Sequence, residues 1–338
     1  MAPAPVASPQ VLCLGEALVD RLGPPGGDPA GGGDDCLGGA PANVACALAR
    51  LGTPAAFLGR LGMDTIGEAF ARLFASRGVD TSALQRDQER PSRIVLVRRD
   101  AGGERQFGGF TGDRGTGFAD QAFNAPELEA ALAPLMAAAR WLLTGTIPLA
   151  SPVAAAALEL ALRRAAAAGV AVAVDVNWRP TFWNPGADPA SGPDAQQLCR
   201  CQSLLEQAAL IKCSREEALW LCGSDDPALL SAALPARPAV VVTDGANPVR
   251  WCWGEAVGEL APFPVAVVDT TGAGDAFTAG LLHGLCTRPE LLDGGDGPAV
   301  RELMCLAGAC GALVCRGAGA IDPQPTAAEV QVWLNRAR

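Results

Sequence analysis

Residues 269–277 have the sequence Asp-Thr-Thr-Gly-Ala-Gly-Asp-Ala-Phe, and they lie between two apolar runs. The run before them, residues 263–268, is typical of a β-strand, and the run after them, residues 276–285, is typical of a helix. Glycines at a strand-to-helix turn let an anion approach the backbone, and the first N–H groups of a helix have no intrahelical partner. The helix dipole also favours negative charge. This stretch therefore predicts a phosphate site in an α/β fold.

Asp275 requires a separate explanation, because a carboxylate beside a phosphate site repels the ligand. Accepting a proton from an attacking hydroxyl group is one task that would justify its position. The alternative is an ordinary helix start in which Asp275 only stabilises the first turn. The complete nonapeptide is more specific than a Gly-x-Gly-Asp tetrapeptide. It favours the catalytic interpretation, with Gly272, Ala273 and Gly274 supplying backbone amides to the phosphate.

The nonapeptide resembles the C-terminal motif of the ribokinase-like sugar kinases, the PfkB carbohydrate kinase family. Residues 38–45, with the sequence Gly-Gly-Ala-Pro-Ala-Asn-Val-Ala, resemble the N-terminal motif of the same family. The two motifs occur in the expected order, so the resemblance covers nearly the whole chain. It implies a doubly wound, mainly parallel sheet flanked by helices, with a small β-sheet lid. The implied large domain comprises residues 1–15, 38–89 and 114–338, and the implied lid comprises residues 16–37 and 90–113.

The pattern of strands is consistent with that fold. Most of the chain after the lid alternates helical and strand patterns, which predicts a parallel sheet covered by helices on both faces. Residues 11–15 and 55–61 are predicted strands near the N-terminus. Residues 93–99 and 104–110 flank a Gly-bearing turn at 100–103, as in a β-hairpin. We assign this hairpin to the lid.

The composition excludes several classes of protein. The 338 residues are 49% hydrophobic and 18% charged, which provides enough apolar material for a large core. A net charge of −10 opposes binding to nucleic acid and to anionic membranes, so we expect neither as a partner. Residues 1–10 contain neither a basic region nor an apolar run, which predicts no signal peptide. No apolar stretch is long enough for a predicted membrane span.

Cysteine and histidine content argue against disulfides and zinc. The twelve cysteines occur mostly singly within apolar segments, so buried free thiols in a reducing, cytoplasmic environment are the favoured interpretation. The one histidine, His283, falls in the apolar helical run and is interpreted as structural. A zinc site is therefore not expected.

Lysine content excludes a P-loop mechanism. Lys212 is the only lysine, and the Gly-Lys-Ser/Thr tripeptide of P-loop enzymes is absent. We therefore expect a phosphate site that contains no lysine. Residues 175–179 resemble the family pattern Asp-x-Asn-x-Arg, and Arg179 is the predicted source of positive charge in the transition state.

The resemblance also implies roles for individual residues. Sugar contacts are implied for Asp20, Gly39, Asn43 and Asp275, while Phe107 and Phe110 could cover the sugar or pack lid against lid in a homodimer. Nucleotide contacts are implied for Gly272 and Gly274, for Thr243 and Gly245 near the phosphates, and for Ala309 near adenine. Glu217 is implied as a Mg²⁺ residue acting through water, and Asp269, Thr271 and Gly319 as a K⁺ site.

We therefore expect a cytoplasmic kinase that transfers the γ-phosphoryl group of ATP to a primary hydroxyl, with Asp275 as the proton acceptor. The Ala40-Pro41 sequence resembles the corresponding position of fructokinases more than that of ribokinases. This resemblance favours D-fructose as the substrate and fructose 6-phosphate as the product. Ribokinase, adenosine kinase and 2-keto-3-deoxygluconate kinase remain alternatives. A noncatalytic sugar-binding regulator has no use for Asp275, and a dinucleotide-dependent oxidoreductase requires Gly-x-Gly-x-x-Gly after the first strand, which is absent here.

Overall fold

The computed structural model describes residues 8–24, 27–99, 105–112, 117–293 and 295–337. Its strands are β1 Val11–Leu14, β2 Leu18–Leu22, β3 Asp34–Gly38, β4 Ala55–Leu58, β5 Arg60–Gly62, β6 Gln85–Asp87, β7 Ile94–Arg99, β8 Arg105–Phe110, β9 Trp141–Thr144, β10 Ala171–Asp175, β11 Leu210–Ser214, β12 Ala239–Thr243, β13 Val249–Trp253 and β14 Ala256–Leu260. Its α-helices are α1 Ala40–Leu51, α2 Thr65–Arg77, α3 Ala125–Met136, α4 Pro152–Ala168, α5 Pro180–Trp183, α6 Ala195–Leu205, α7 Arg215–Cys222, α8 Pro227–Ala233, α9 Ala273–Thr287, α10 Gly297–Val314 and α11 Ala327–Ala337.

The large sheet has eight strands in the order β14-β13-β12-β11-β10-β9-β1-β4. The six strands from β12 to β4 are parallel, and β13 and β14 add an antiparallel edge. The parallel strands are short and largely apolar, as expected for strands covered by helices on both faces. Two large apolar clusters provide the helix packing of the sheet. This architecture confirms the predicted doubly wound α/β fold.

The order of the strands determines where a ligand can bind. β1 pairs with β4 on one side and with β9 on the other. The chain connections therefore lead to opposite sides of β1, toward β4 first and toward β9 and the later strands afterwards. Ligands of open α/β sheets bind beyond the carboxyl ends of strands at such a switch point. The chain segments that leave β1, β10 and β11 meet at this edge.

A second sheet of four strands, β3-β2-β7-β8, accompanies the large one. β7 and β8 are antiparallel, which confirms the predicted hairpin, although its turn at residues 100–103 lies outside the described residues. The sheet rests on an apolar cluster that includes Leu18, Val95 and Phe110. The small sheet of the predicted fold is thus present, while the exact domain boundaries stay a prediction.

One predicted strand is wrong, and another is divided in two. Residues 263–268 form no strand, and Val267 and Val268 are 59% and 65% exposed. This segment leaves the sheet after β14, and the Val268 N–H donates instead to the Cys315 carbonyl at the end of α10. The predicted strand at 55–61 is divided at Gly59, where a Cβ atom would lie 2.6 Å from the Gly15 carbonyl oxygen. Its second part, β5, pairs with β6 in a separate two-stranded sheet.

Helices α9 and α10 pack closely in the core. A Cβ atom on Gly280 of α9 would lie 2.8 Å from the Cα atom of Ala307 in α10. Among the described helices, α10 alone is long and apolar enough to span a membrane by length and composition. Its side chains at Leu303 and Met304 are completely buried, so α10 packs here as a core helix.

We predict that Gly280→Ala destabilises the protein by about 1–2 kcal/mol, because overpacking against a backbone atom outweighs the gain in helix propensity. Gly297→Ala is the matched control, since no atom lies within 4 Å of a Cβ atom at that position in the first turn of α10. Urea denaturation of both variants measures the two free energies of unfolding. Equal stability of the two variants would contradict the close α9–α10 contact.

Candidate active site

The turn before α9 has a conformation that requires glycine. Gly272 adopts φ 77°, and a Cβ atom there would lie 2.6 Å from the Cβ atom of Ala320. The Ala273 N–H donates to the Thr270 carbonyl, and the amides of Gly274 and Asp275 follow in the first turn of α9. Amides at these positions have no intrahelical acceptor, so they are available to an anion. We call residues 270–275 the anion loop.

Asn43 connects α1 to this loop. Its Nδ2 atom donates to Asp275 Oδ2 at 2.7 Å. The Asn43 side chain is buried, and its Oδ1 atom has no hydrogen-bond partner within the parts of the chain that the structure describes. An unsatisfied buried acceptor is costly, which indicates that a ligand donor completes its hydrogen bonding.

A cavity of about 630 Å³ opens in front of Asp275. It lies between the carboxyl edge of the large sheet and the small sheet. Its lining includes ten of the residues predicted from the sequence: Asp20, Gly39, Asn43, Phe107, Arg179, Glu217, Thr271, Gly272, Gly274 and Asp275. The fold therefore brings residues from both halves of the chain to one site.

Three other predicted residues lie in nearby strands or in the core. Phe110 is buried behind Phe107, with ring centroids 5.1 Å apart, so the two phenylalanines occupy different layers. Thr243 ends β12, beside the end of β11, and its Oγ1 atom donates to the Cys213 carbonyl at 3.3 Å. Ala309 is completely buried in α10. Their ligand contacts, and that of Gly245 after β12, stay predictions.

Glu217 is held by two backbone amides. Its Oε1 atom accepts from the Trp178 N–H and its Oε2 atom accepts from the Ser214 N–H, each at 2.7 Å. Ser214 in turn caps α7 by accepting from the Glu217 N–H. Burial raises the pKa of the Glu217 carboxyl. The carboxylate is therefore fixed at the cavity wall, and its metal role stays a prediction.

Asp269 joins the start of the anion loop to a second loop. Its Oδ1 atom accepts from the Thr271 N–H at 3.0 Å, and its Oδ2 atom accepts from the Gly319 N–H at 2.8 Å. The three residues predicted to bind K⁺ are therefore neighbours in the structure. Their role as a cation site stays a prediction.

The expectation of a site without lysine is wrong. Lys212 lines the cavity, and its Nζ atom lies 3.0 and 3.1 Å from the two carboxylate oxygens of Asp175. Both residues lie near the carboxyl ends of neighbouring strands, β10 and β11. Lys212 lies in β11, and its partner on β10 becomes apparent only with the order of the strands.

Glu16 is a second residue whose role sequence reasoning missed. Gly39 precedes α1 and has no side chain to cap it, and Glu16 Oε1 accepts from the Ala40 N–H at 3.1 Å. Glu16 is almost fully buried, and burial raises the pKa of its carboxyl to about 8. It therefore fixes the start of the helix that contains Asn43.

The environment of Asp275 favours proton acceptance near neutral pH. Burial is the largest cause that raises its pKa, and the negative charge of Asp175 adds to it. The hydrogen bond from Asn43 and the positive charges of Lys212 and Arg179 oppose this rise. The resulting pKa is about 6, which leaves the carboxyl mostly ionised at pH 7.

Comparison with known proteins identifies the family. Residues 9–327 match the profile of the pfkB family carbohydrate kinases. The chain belongs to the pfkB family of carbohydrate kinases. This result confirms the resemblance that the two sequence motifs indicated.

Several pfkB-family relatives are similar over almost their whole length. A fructokinase of Klebsiella pneumoniae is 34% identical over 330 residues, covering 95% of this chain and 98% of the relative. The crystal structure of a fructokinase from Xylella fastidiosa with bound ATP has a TM-score of 0.81 at 31% identity, covering 97% and 98% of the two chains. A Vibrio cholerae fructokinase bound to fructose, ADP and calcium has a TM-score of 0.77 at 26% identity, covering 97% and 99%.

We predict that Gly272→Ala weakens ATP binding at least about tenfold, because a Cβ atom would strain the left-handed backbone and displace the anion loop from Ala320. Gly254→Ala is the matched control, since Gly254 has φ 57° but no atom within 4 Å of a Cβ position. Calorimetric titration with ATP, together with the melting temperature, separates loss of binding from loss of stability. Equal ATP affinity in both variants would contradict the assigned role of the turn.

Proposed function

We propose that this chain transfers the γ-phosphoryl group of ATP to the O6 hydroxyl of D-fructose. The observation that supports this most strongly is the position of Asp275, a carboxylate with a pKa of about 6 at the first turn of α9. It faces the cavity beside amides suited to a phosphate, so a base and an anion site adjoin each other.

The sugar site is formed by polar groups from three elements. Asn43 offers a buried acceptor in Oδ1, Asp20 on β2 offers a carboxylate, and the backbone of Gly39 lines the same cavity. Acceptors of this kind suit the hydroxyl groups of a neutral polyol. Phe107 and Phe182 add apolar surface to the same cavity.

Phosphoryl transfer follows from this arrangement. The O6 oxygen attacks the γ-phosphorus, and the bond to the bridging oxygen of ADP breaks as the new O–P bond forms. The proton of O6 passes to Asp275, and ADP leaves. The amides of the anion loop and the guanidinium of Arg179 stabilise the charge on the transferring group.

A divalent cation suits the charge balance of the cavity. Five carboxyl groups line it, namely those of Glu16, Asp20, Asp175, Glu217 and Asp275, against the cations of Arg179 and Lys212. Glu16, with a pKa of about 8, is mostly protonated at pH 7, and the other four still outnumber the two cations. ATP adds further negative charge, so Mg²⁺ supplies neutralisation when bound. Glu217, fixed at the wall, would hold it through water.

The remaining ligand contacts are proposals of the same kind. Thr243 and Gly245 would lie beside the ATP phosphates, Ala309 beside adenine, and Phe110 would support the sugar wall through Phe107. Asp269, Thr271 and Gly319 would hold K⁺ and stiffen the anion loop.

D-fructose is favoured over other sugars by two arguments. The relatives named above are fructokinases, and one of them binds fructose and ADP. The apolar Ala40-Pro41 turn offers no cation to the sugar, whereas Pro41 packs onto Gly15 and stiffens the start of α1. The exposed guanidinium of Arg179 would suit a carboxylated sugar, which makes 2-keto-3-deoxygluconate the main competitor.

The domain arrangement belongs to the same proposal. Residues 16–37 and 90–113 would form a lid that closes over the sugar, while residues 1–15, 38–89 and 114–338 form the large domain. The lid also offers a surface for a homodimer. The cysteines are free thiols, which suits a cytoplasmic enzyme.

We predict that Asp275→Asn lowers kcat by roughly 10²–10⁴, because an amide cannot accept the O6 proton. Asp296→Asn is the matched control, since Asp296 also lies at a helix N-terminus but away from the cavity. Coupled ADP release with D-fructose measures kcat, and calorimetry checks that ATP still binds. More than half of the wild-type kcat in Asp275→Asn would remove Asp275 from the mechanism.

The pH dependence follows from the raised pKa of Asp275. The base acts only when ionised, and its ionised fraction falls as the pH drops through about 6. We predict that kcat/KM falls about tenfold per pH unit below this value. A profile that stays flat down to pH 4.5 would contradict the assignment.

We predict that D-fructose gives the highest kcat/KM in a panel with D-ribose, adenosine, glucose and 2-keto-3-deoxygluconate. A wrong sugar leaves buried polar groups such as Asn43 unpaired, so discrimination of several kcal/mol is attainable. Coupled ADP release over the panel measures it. A tenfold preference for another member would overturn the assignment of fructose and leave the kinase assignment intact.

A further inference from the structure

Lys212 belongs to a buried network that joins three elements of the site. Its Nζ atom bonds both carboxylate oxygens of Asp175. Thr278, on the second turn of α9, donates from Oγ1 to Asp175 Oδ2 at 2.8 Å and lies 3.0 Å from the Gly274 carbonyl oxygen. The network therefore ties β10 and β11 to the anion loop.

The location of the ammonium group is unusual for a lysine. The side chains of Asp175 and Lys212 are only 7% and 12% exposed. A Cβ atom on Gly274 would lie 3.0 Å from Lys212 Nζ, so the ammonium packs against the backbone of the anion loop. Burial lowers the pKa of Lys212, but Asp175, Glu217 and Asp275 together raise it above its ordinary value. The group is therefore a fixed positive charge.

The charges that face Asp275 come from several elements. Asp175 contributes negative charge from the end of β10, whereas Glu16, in the loop after β1, has a pKa raised by burial to about 8 and is mostly protonated at neutral pH. Lys212 on β11 and Arg179 after β10 contribute positive charge. Arg179 is exposed to solvent, whereas the Lys212 side chain is mostly covered, so solvent screens the lysine less. Without the lysine, Asp175 would be an unpaired buried anion next to Asp275 and below the phosphate site.

We propose that Lys212 is a positioning residue for phosphoryl transfer. It neutralises Asp175, and through Asp175 and Thr278 it holds the first turn of α9 so that the anion loop accepts phosphate and Asp275 stays ionised. It acts through Asp175 and does not contact the substrate. The expected effect of Lys212 on kcat/KM rests on the proposed kinase function. Its expected effect on nucleotide binding rests on the observed contacts alone.

A double-mutant cycle tests this role. The four proteins are the wild type, Lys212→Met, Asp175→Asn and the combined variant, in which the amide introduced by Asp175→Asn keeps an oxygen for Thr278. We expect Lys212→Met to lower kcat/KM by about tenfold to a hundredfold and to weaken ADP binding. We expect the combined variant to recover at least about tenfold, because it removes the unpaired anion together with its partner.

The pH profile separates positioning from a purely structural role. In Lys212→Met the unscreened charge of Asp175 should move the acid limb of kcat/KM to higher pH, and the combined variant should move it back. If the acid limb of kcat/KM in Lys212→Met stays at the wild-type pH while the melting temperature of the variant falls, the proposal is overturned. A combined variant as slow as Lys212→Met would also overturn it, since that result indicates direct contact of the ammonium with phosphate.

Two further outcomes remain decisive. If Lys212→Met does not fold, the combined variant is compared with the wild type: kcat/KM within about tenfold of the wild-type value supports the proposal, and a larger loss overturns it.

If the wild type phosphorylates no sugar, the proposed function fails. The ADP affinities of the four proteins then decide the role of Lys212, since recovery of binding in the combined variant supports it and absence of recovery overturns it.

Discussion

The hydrogen bond from Asn43 to Asp275 is the contact on which the active site depends. It joins residues 232 positions apart in the sequence, and it links α1, which contains the N-terminal motif, to α9, which contains the C-terminal motif. α1 and α9 also pack against each other in the core, so helix packing sets the distance between Asn43 and Asp275. The bond uses the donor of the Asn43 amide and leaves its acceptor for a ligand. One side chain therefore orients the Asp275 carboxylate and, in the proposed function, would also orient the sugar.

Charge is the second constraint on this site. A kinase needs a base close to a polyanionic substrate, and each carboxylate near the anion loop weakens binding of that substrate. The structure limits this repulsion in two ways. Asp175 is neutralised by Lys212, and Glu217 is held by two backbone amides. Asp275 is left with a pKa close to the pH at which it must work.

Much of the fold could be predicted from local sequence. The alternation of strand and helix patterns predicted the parallel sheet, and the glycines around residues 272–274 predicted the start of α9. The strand predicted at 263–268 failed because apolar composition alone does not provide a pairing partner, and this segment instead bonds to Cys315. The predicted strand at 55–61 is confirmed as strand structure but not as one strand, because a close approach to Gly15 divides it at Gly59.

The site could be predicted where residues lie within continuous motifs, as Asn43 and Asp275 do. It could not be predicted where function depends on the spatial order of strands. Lys212 meets Asp175 only because β11 lies beside β10, and no local pattern contains that information. Glu16 caps α1 from 24 residues away, across the small sheet strands that intervene. Both residues are ionisable side chains near strand ends, which is the local signal that a search for site residues could use.

The identity of the product tests the central claim most directly. Wild-type protein, D-fructose, ATP and Mg²⁺ are incubated together, and phosphorus and proton NMR follow the reaction. The proposed mechanism predicts one phosphate monoester at O6 for each ADP formed, and no ADP in the absence of sugar. Formation of ADP without a sugar ester, or of an ester at another hydroxyl, would contradict the role assigned to Asp275 and to the cavity that holds the sugar.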